Sequence, residues 1–141
     1  MENDECLICR KQRGEAAPPP GGYIYSDEFW MICHAPPEKG PLGTLFVESR
    51  RHFLDLSELN DGEASTFAGV LARVYAALRQ QVDAERIYLL STVEGMPHFH
   101  AWIVPRPASE TERSLAYLAK DLTCSLEQAA QLAAKIRDTL R

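Results

Sequence analysis

Between Phe67 and Leu78 the apolar residues fall at Phe67, Val70, Leu71, Val74, Tyr75 and Leu78, the i, i+3, i+4, i+7, i+8, i+11 spacing of one helical face. This run predicts an amphipathic helix from Asn60 or Asp61 to about Val82, and it constrains the fold because strand-like segments stand on both sides of it. Upstream, "YIYS" and "FWMICHA" are rich in β-formers with a Ser-Asp turn between them and read as a hairpin. "TLFVES", Thr44 to Ser49, reads as a third strand with Leu45 and Val47 on one face. Downstream, "RIYLLST" resumes strand character, "VEGMP" turns, and "HFHAWIVP" is the last strand. Three strands, one long helix and two strands predict an α+β fold, an antiparallel sheet of about five strands covered by helices. No G-x-G-x-x-G or Walker loop occurs, so neither a Rossmann nor a P-loop nucleotide site is expected.

Both ends of this pattern carry extensions. "GEAAPPPGG", Gly14 to Gly22, predicts an exposed, partly extended connector that sets a short Cys-bearing arm apart from the body. Beyond Pro107 the chain reads as helical, with one stripe at Leu115, Leu118, Ala119 and Leu122 and another at Leu126, Ala129, Ala130, Ala133, Ile136 and Leu140. Ser125 with Gln128 three residues on forms a capping-box pattern for the second stripe. At 141 residues one core suffices. Residues 1–107 are thus expected to form the domain and its arm, with 108–141 a helical extension packed on the same domain.

A formal net charge of −5 excludes a nucleic acid held by general electrostatics and leaves room for a small phosphorylated ligand. No apolar run approaches the ~20 residues of a membrane span, and "MENDECLICRKQRG" begins with acids and has no apolar h-region, so the expected location is the cytoplasm. In that setting the four cysteines, Cys6, Cys9, Cys33 and Cys124, are free thiols or metal ligands rather than a disulfide framework.

Strand alternation puts His98, His100 and Trp102 on one face, with Phe99, Ala101 and Ile103 on the other, which reads as core. By spacing alone the His-x-His pair is either a site or two satisfied strand histidines, and Cys6-x-x-Cys9 is either a metal pair or two incidental thiols. Cys33 and Cys124 read as small buried hydrophobes, and Trp30 and Tyr75 as packing. Arg50 and Arg51 are either solvated or near a phosphate.

"HFHAWIVPR" resembles the signature of the histidine triad superfamily, His-φ-His-φ-His-φ-φ with φ apolar, often followed by Pro-Arg. The resemblance runs from Cys6 to Pro107, through "CLIC", "FWMICHAPPEKGPLGTLFVESRRHFLDLSEL", the long helix and "RIYLLS". It implies a histidine triad fold and makes His100 the nucleophile, attacking the α-phosphorus of a nucleotide to give a nucleotidyl-histidine. Such attack needs a neutral imidazole whose far nitrogen donates to a backbone carbonyl, and donors for the phosphate oxygens. The implied donors are the "VEGMP" amides around Gly95 and Met96, Ser91 or Thr92, and Arg106. His34 stands where the family usually places an asparagine on the ribose. Some members bind zinc through a Cys-x-x-Cys pair, a histidine before the long helix and the first motif histidine, which here are Cys6, Cys9, His52 and His98. Two thiolates and two imidazoles close a tetrahedral site, which suits a structural role.

Two departures stand out. The third motif position is Trp102, whose indole has one donor and no acceptor and cannot shuttle a proton; one branch of the superfamily has glutamine there and keeps the middle histidine. The Gly-Gln-Ser/Thr-Val stretch of many triad hydrolases is reduced to "VEGM". The reading is therefore a zinc-stabilised hydrolase or nucleotidyltransferase acting on a small-molecule nucleotide, for example a diadenosine polyphosphate or a nucleoside phosphoramidate. Its rival is a catalytically weak nucleotide-binding or protein-interaction module. The resemblance also implies a homodimer.

Overall fold

The computed structural model describes residues 4–141; the first three residues, with which the N-terminal reading begins, lie outside it. Five strands form one antiparallel sheet in the order β1-β2-β3-β5-β4, with β1 Tyr25–Ser26, β2 Trp30–His34, β3 Leu45–Ser49, β4 Arg86–Leu90 and β5 His100–Arg106. The helices are α1 Leu7–Gln12, α2 Asp61–Gln81, α3 Ser114–Leu118 and α4 Leu126–Leu140.

Alternation along the strands divides the sheet into two faces. Ile32, Leu45, Val47 and Ile103 join Val70, Val74 and Leu78 of α2 and Leu132, Ala133 and Ile136 of α4 in one core. The periodic residues of α2 thus bury the face that their spacing predicts, and Trp30 packs on Phe67 with the rings tilted by 42° and their centroids 4.8 Å apart. The α2 start is fixed by a capping box: the Asn60 side chain accepts from the Glu63 N–H, and the Glu63 carboxylate accepts from the Asn60 N–H. Such a cap is worth about 1 kcal/mol. Ser125 and Gln128 cap α4 in the same way.

The opposite face carries Cys33, Phe46, Glu48, His100 and Trp102. In the β3–β5 register Phe46 stands opposite Trp102 and Glu48 opposite His100. Two segments cover this face, α1 with the proline stretch on one side and the chain around α3 on the other.

Three local expectations change. The connector is not exposed throughout, since Pro19 and Pro20 are buried. Arg137 of α4 donates to the carbonyls of Gly21 and Tyr23, and Gly21 holds φ +71° so close to α4 that a Cβ there would lie 2.7 Å from the Ala130 carbonyl oxygen. Composition marks a turn-rich segment but not the helix that packs over it. Regular pairing in β5 starts at His100, because His98 turns out of the strand before it. The first tail stripe is also broken: α3 ends at Leu118 and Leu115 is 78% exposed, whereas Leu118 and Leu122 turn inward to line a cavity.

Candidate functional site

The short arm brings two thiols to the sheet. Cys6 caps α1 by accepting from the Cys9 N–H at 3.3 Å, so both sulfurs face the same way. His98 Nδ1 lies 3.3 Å from Cys6 Sγ and 3.5 Å from Cys9 Sγ. His52 Nδ1 lies 3.5 Å from Cys9 Sγ and 3.1 Å from His98 Nδ1. All four donor atoms fall within 4.8 Å of one another. A tetrahedral zinc with the usual Zn–S and Zn–N lengths spaces its ligand atoms by roughly 3.3–3.8 Å, so this Cys2His2 set fits that ion.

The surroundings prepare the ligands. His98 Nε2 is 2.7 Å from the Ser49 carbonyl oxygen, which can only accept, so the proton sits on Nε2 and Nδ1 presents its lone pair to the cluster. Burial pushes the His98 imidazole below its ordinary value, which favours the neutral, ligating form. Arg51, beside His52, makes paired hydrogen bonds to Glu63 at 2.8 and 3.1 Å. It therefore ties the ligand segment to the α2 N-terminus and is not a phosphate contact.

Two residues along, His100 is arranged differently. Its Nδ1 lies 2.7 Å from the His98 carbonyl oxygen, which places the proton on Nδ1. Nε2 is left with a lone pair and no hydrogen-bond partner among the described residues. Phe46 meets the His100 ring edge-on at 5.7 Å and the Trp102 ring at 4.7 Å. A cavity of about 310 Å³ lies on either side of this aromatic row. The first is walled mainly by apolar groups, including Leu7, Pro18, Pro20, Phe46 and Met96, with Lys11 its one charged side chain. The second is lined by Trp102, Leu90, Thr92, Val104 and the inward side of the α3 segment.

Ser91 and Thr92 lead into the turn, where Ser91 Oγ donates to the His100 carbonyl at 2.6 Å and Thr92 lines the Trp102 cavity. Gly95 is exposed and Met96 enters the other cavity. Val93 holds φ 55°, a left-handed conformation that a β-branched residue avoids, so this turn stores strain.

Two residues expected to touch the ligand have their polar groups paired within the fold. His34 lies buried at the wall of the Phe46 and Met96 cavity, where its Nδ1 donates to the Ala35 carbonyl at 2.7 Å and its Nε2 accepts from the Gly43 N–H at 3.0 Å, so both ring nitrogens are paired with backbone. Arg106 is six residues along β5 from His100, roughly 20 Å at strand rise. It is buried against Glu85 at 2.7 Å and Tyr88 at 3.0 Å, and so bolts the C-terminal segment rather than facing the nucleophile.

Motif reading did not mark Ser49, Phe46, Lys11 or Glu48. Glu48 is fully buried opposite His100 and accepts from Lys11 at 2.5 Å, Tyr23 at 2.8 Å and Gln12 at 3.2 Å. A Glu directly after the apolar run Leu45, Phe46 and Val47 in β3 is the one available signal. Burial pushes the nearby Cys33 thiol up and keeps it protonated.

No protein-family model matches this sequence, and no curated protein does. Among solved structures, a hypothetical histidine triad nucleotide-binding protein from Sulfolobus tokodaii is 20% identical, with 96% of this chain and 91% of that one covered at a TM-score of 0.76. A Zn-bound histidine triad family protein from Mycobacterium smegmatis is 21% identical over 96% and 93% of the two chains, TM-score 0.73. A HIT family hydrolase from Legionella pneumophila is 16% identical over 78% of this chain and 100% of that one, TM-score 0.57.

Proposed function

Taking the histidine triad fold of this chain as the premise, we propose that it is a zinc-stabilised enzyme acting at the α-phosphate of a small nucleotide, as a hydrolase or nucleotidyltransferase, with His100 as nucleophile. The observation that carries this reading is the His100 tautomer: Nδ1 is committed to the His98 carbonyl, and the lone pair of Nε2 is free on a face flanked by two cavities. Nε2 forms the bond to phosphorus while the Nδ1–H bond holds the ring in place. The mainly apolar cavity beside Phe46 and Met96 takes the base. Backbone amides of the turn around Gly95 and Met96, with Ser91 or Thr92, receive the phosphate oxygens.

Zinc, held by Cys6, Cys9, His52 and His98, supplies structure: four protein ligands leave no open position for substrate. The Zn-bound fold neighbour and the fit of the four donors support it. The neighbour described as a nucleotide-binding protein and the one described as a hydrolase support the substrate class and the activity. A homodimer is part of the reading, because β4 is an edge strand with Leu89 46% exposed on it, and pairing removes such an edge. No helix among the described residues is long and apolar enough to cross a membrane; a cytoplasmic location is the accompanying proposal.

Trp102 favours a second reading, a nucleotide-binding or protein-interaction module of little activity. His100→Ala separates the two: the enzyme reading predicts loss of turnover with the thermal midpoint and zinc content kept. Turnover retained in that variant overturns the reading, and nucleotide binding without turnover in the parent protein supports the module.

A further inference from the structure

Lys11 is the one charged side chain of the mainly apolar cavity beside Phe46 and Met96, and its hydrogen bonds are not all spent. An ammonium carries three N–H donors. One reaches Glu48 Oε2 at 2.5 Å and a second reaches Cys33 Sγ at 3.6 Å, while the third has no partner among the described residues. The Lys11 side chain is 14% exposed, so little water is at hand to take up that donor. Its Nζ lies 5.6 Å from the centroid of the Phe46 ring, and the His100 ring lies 5.7 Å from the same centroid. A planar base laid on Phe46 therefore brings one edge toward Lys11 and its ribose phosphate toward His100.

The rest of the wall offers little that could read a base. Five of its residues are prolines, which have no N–H to give. Both ring nitrogens of His34 are paired with backbone. The carboxylate behind Lys11 is closed to a ligand as well. Glu48 Oε2 takes Lys11 and the Cys33 thiol, and Oε1 takes the Tyr23 hydroxyl at 2.8 Å and Gln12 Nε2 at 3.2 Å. A carboxylate has about four lone-pair sites, and all are used. The lining side chains thus present a cation with one free donor and no free carboxylate. Because Glu48 balances the charge, a neutral base can settle against Lys11 without leaving a net charge buried.

We infer that Lys11 reads the base and selects a 6-oxopurine, guanine or hypoxanthine, over adenine. The inference rests on the reading of this cavity as the base site. The outer edge of guanine carries O6 and N7, both acceptors, and it is the edge that cationic side chains choose in nucleic acids, whereas adenine sets its N6 amino donor beside N7. An N6 amino group brought to Lys11 places donor against donor, and Glu48 has no lone pair left to receive it. Dinucleotides with guanosine then outrank those with adenosine as ligands of this chain.

The test is calorimetric binding of nucleoside 5′-monophosphates to the zinc-loaded protein, with inosine and guanosine monophosphate set against adenosine monophosphate. Both oxopurines are expected to bind at least about tenfold tighter, within the range of discrimination by a cationic side chain at this edge. The double variant Lys11→Met with Glu48→Gln, which removes the ion pair as a unit, is expected to bind inosine and adenosine monophosphate alike. Should that variant not fold, nuclear magnetic resonance of the nitrogen-labelled parent takes its place, and the Lys11 ammonium signal is expected to shift with inosine monophosphate. Adenine bound as tightly as the oxopurines in the parent overturns the inference, as does a preference that survives in the double variant or a Lys11 signal unmoved in the inosine-bound protein. In each of those cases the reading of His100 stands. If no monophosphate binds and His100 is never labelled by any nucleotide, the reading of the site fails and takes this inference with it.

Discussion

Lys11 reaches from α1 to within 2.5 Å of Glu48, a fully buried carboxylate that stands opposite His100 in the β3–β5 register. Burial alone would push the Lys11 ammonium down, and the neighbouring Cys33 and Glu48 side chains hold it above its ordinary value instead. The pair fastens the C-terminal end of α1 to the sheet, while the cysteines fasten its beginning. Removing one partner leaves a buried charge uncompensated, which costs about 3–5 kcal/mol. Lys11→Met is expected to lose about that much in urea denaturation at saturating zinc, and Lys11→Met with Glu48→Gln clearly less. Equal losses in the single and double variants would show that the pair does not hold the arm.

Acid should weaken the α2 N-terminus. Burial raises the Glu63 carboxyl, but hydrogen bonds from Arg51 and the Asn60 N–H outweigh it and hold the group below its ordinary value of 4.5. A depressed folded value stabilises fully above the unfolded value and less as pH falls through the folded one. The urea midpoint is therefore expected to drop on going below about pH 4.5, and Glu63→Gln should flatten part of that drop. An unchanged pH slope in the variant would remove Glu63 from the account.

Zinc occupancy is expected at close to one per chain in the purified protein, with Cys9→Ser and His52→Ala each losing it. The loss should lower the thermal midpoint, each kcal/mol appearing as roughly 3–5 °C at this chain length. A protein free of metal with both thiols reduced, and a midpoint indifferent to chelator, would contradict the site.

Much of this was legible because local periodicity coincides with burial. The α2 residues Val70, Val74 and Leu78 sit in the core as their spacing predicts, and the caps at Asn60 and Ser125 use side chains that recognise the nearest amides. The Cys6, Cys9, His52, His98 set came through resemblance, and the structure brings its donor atoms together. What the sequence does not show depends on distant cover. Nothing near Pro19 and Pro20 announces that α4 will pack over the connector. Nothing near Arg106 announces that Glu85 and Tyr88 will claim its guanidinium. Nothing near His34 announces that its ring nitrogens pair with the Ala35 carbonyl and the Gly43 N–H, backbone groups whose direction no residue type encodes.

The most direct test is to trap the covalent state. The parent protein is mixed with α-labelled nucleoside triphosphate, diadenosine tetraphosphate or acyl adenylate, quenched without acid, digested and analysed by mass spectrometry. A nucleotidyl group on the peptide containing His100, assigned to that residue and absent from His100→Ala, is the predicted result. Measurable nucleotide binding with His100 unmodified under every condition that retains zinc would contradict it.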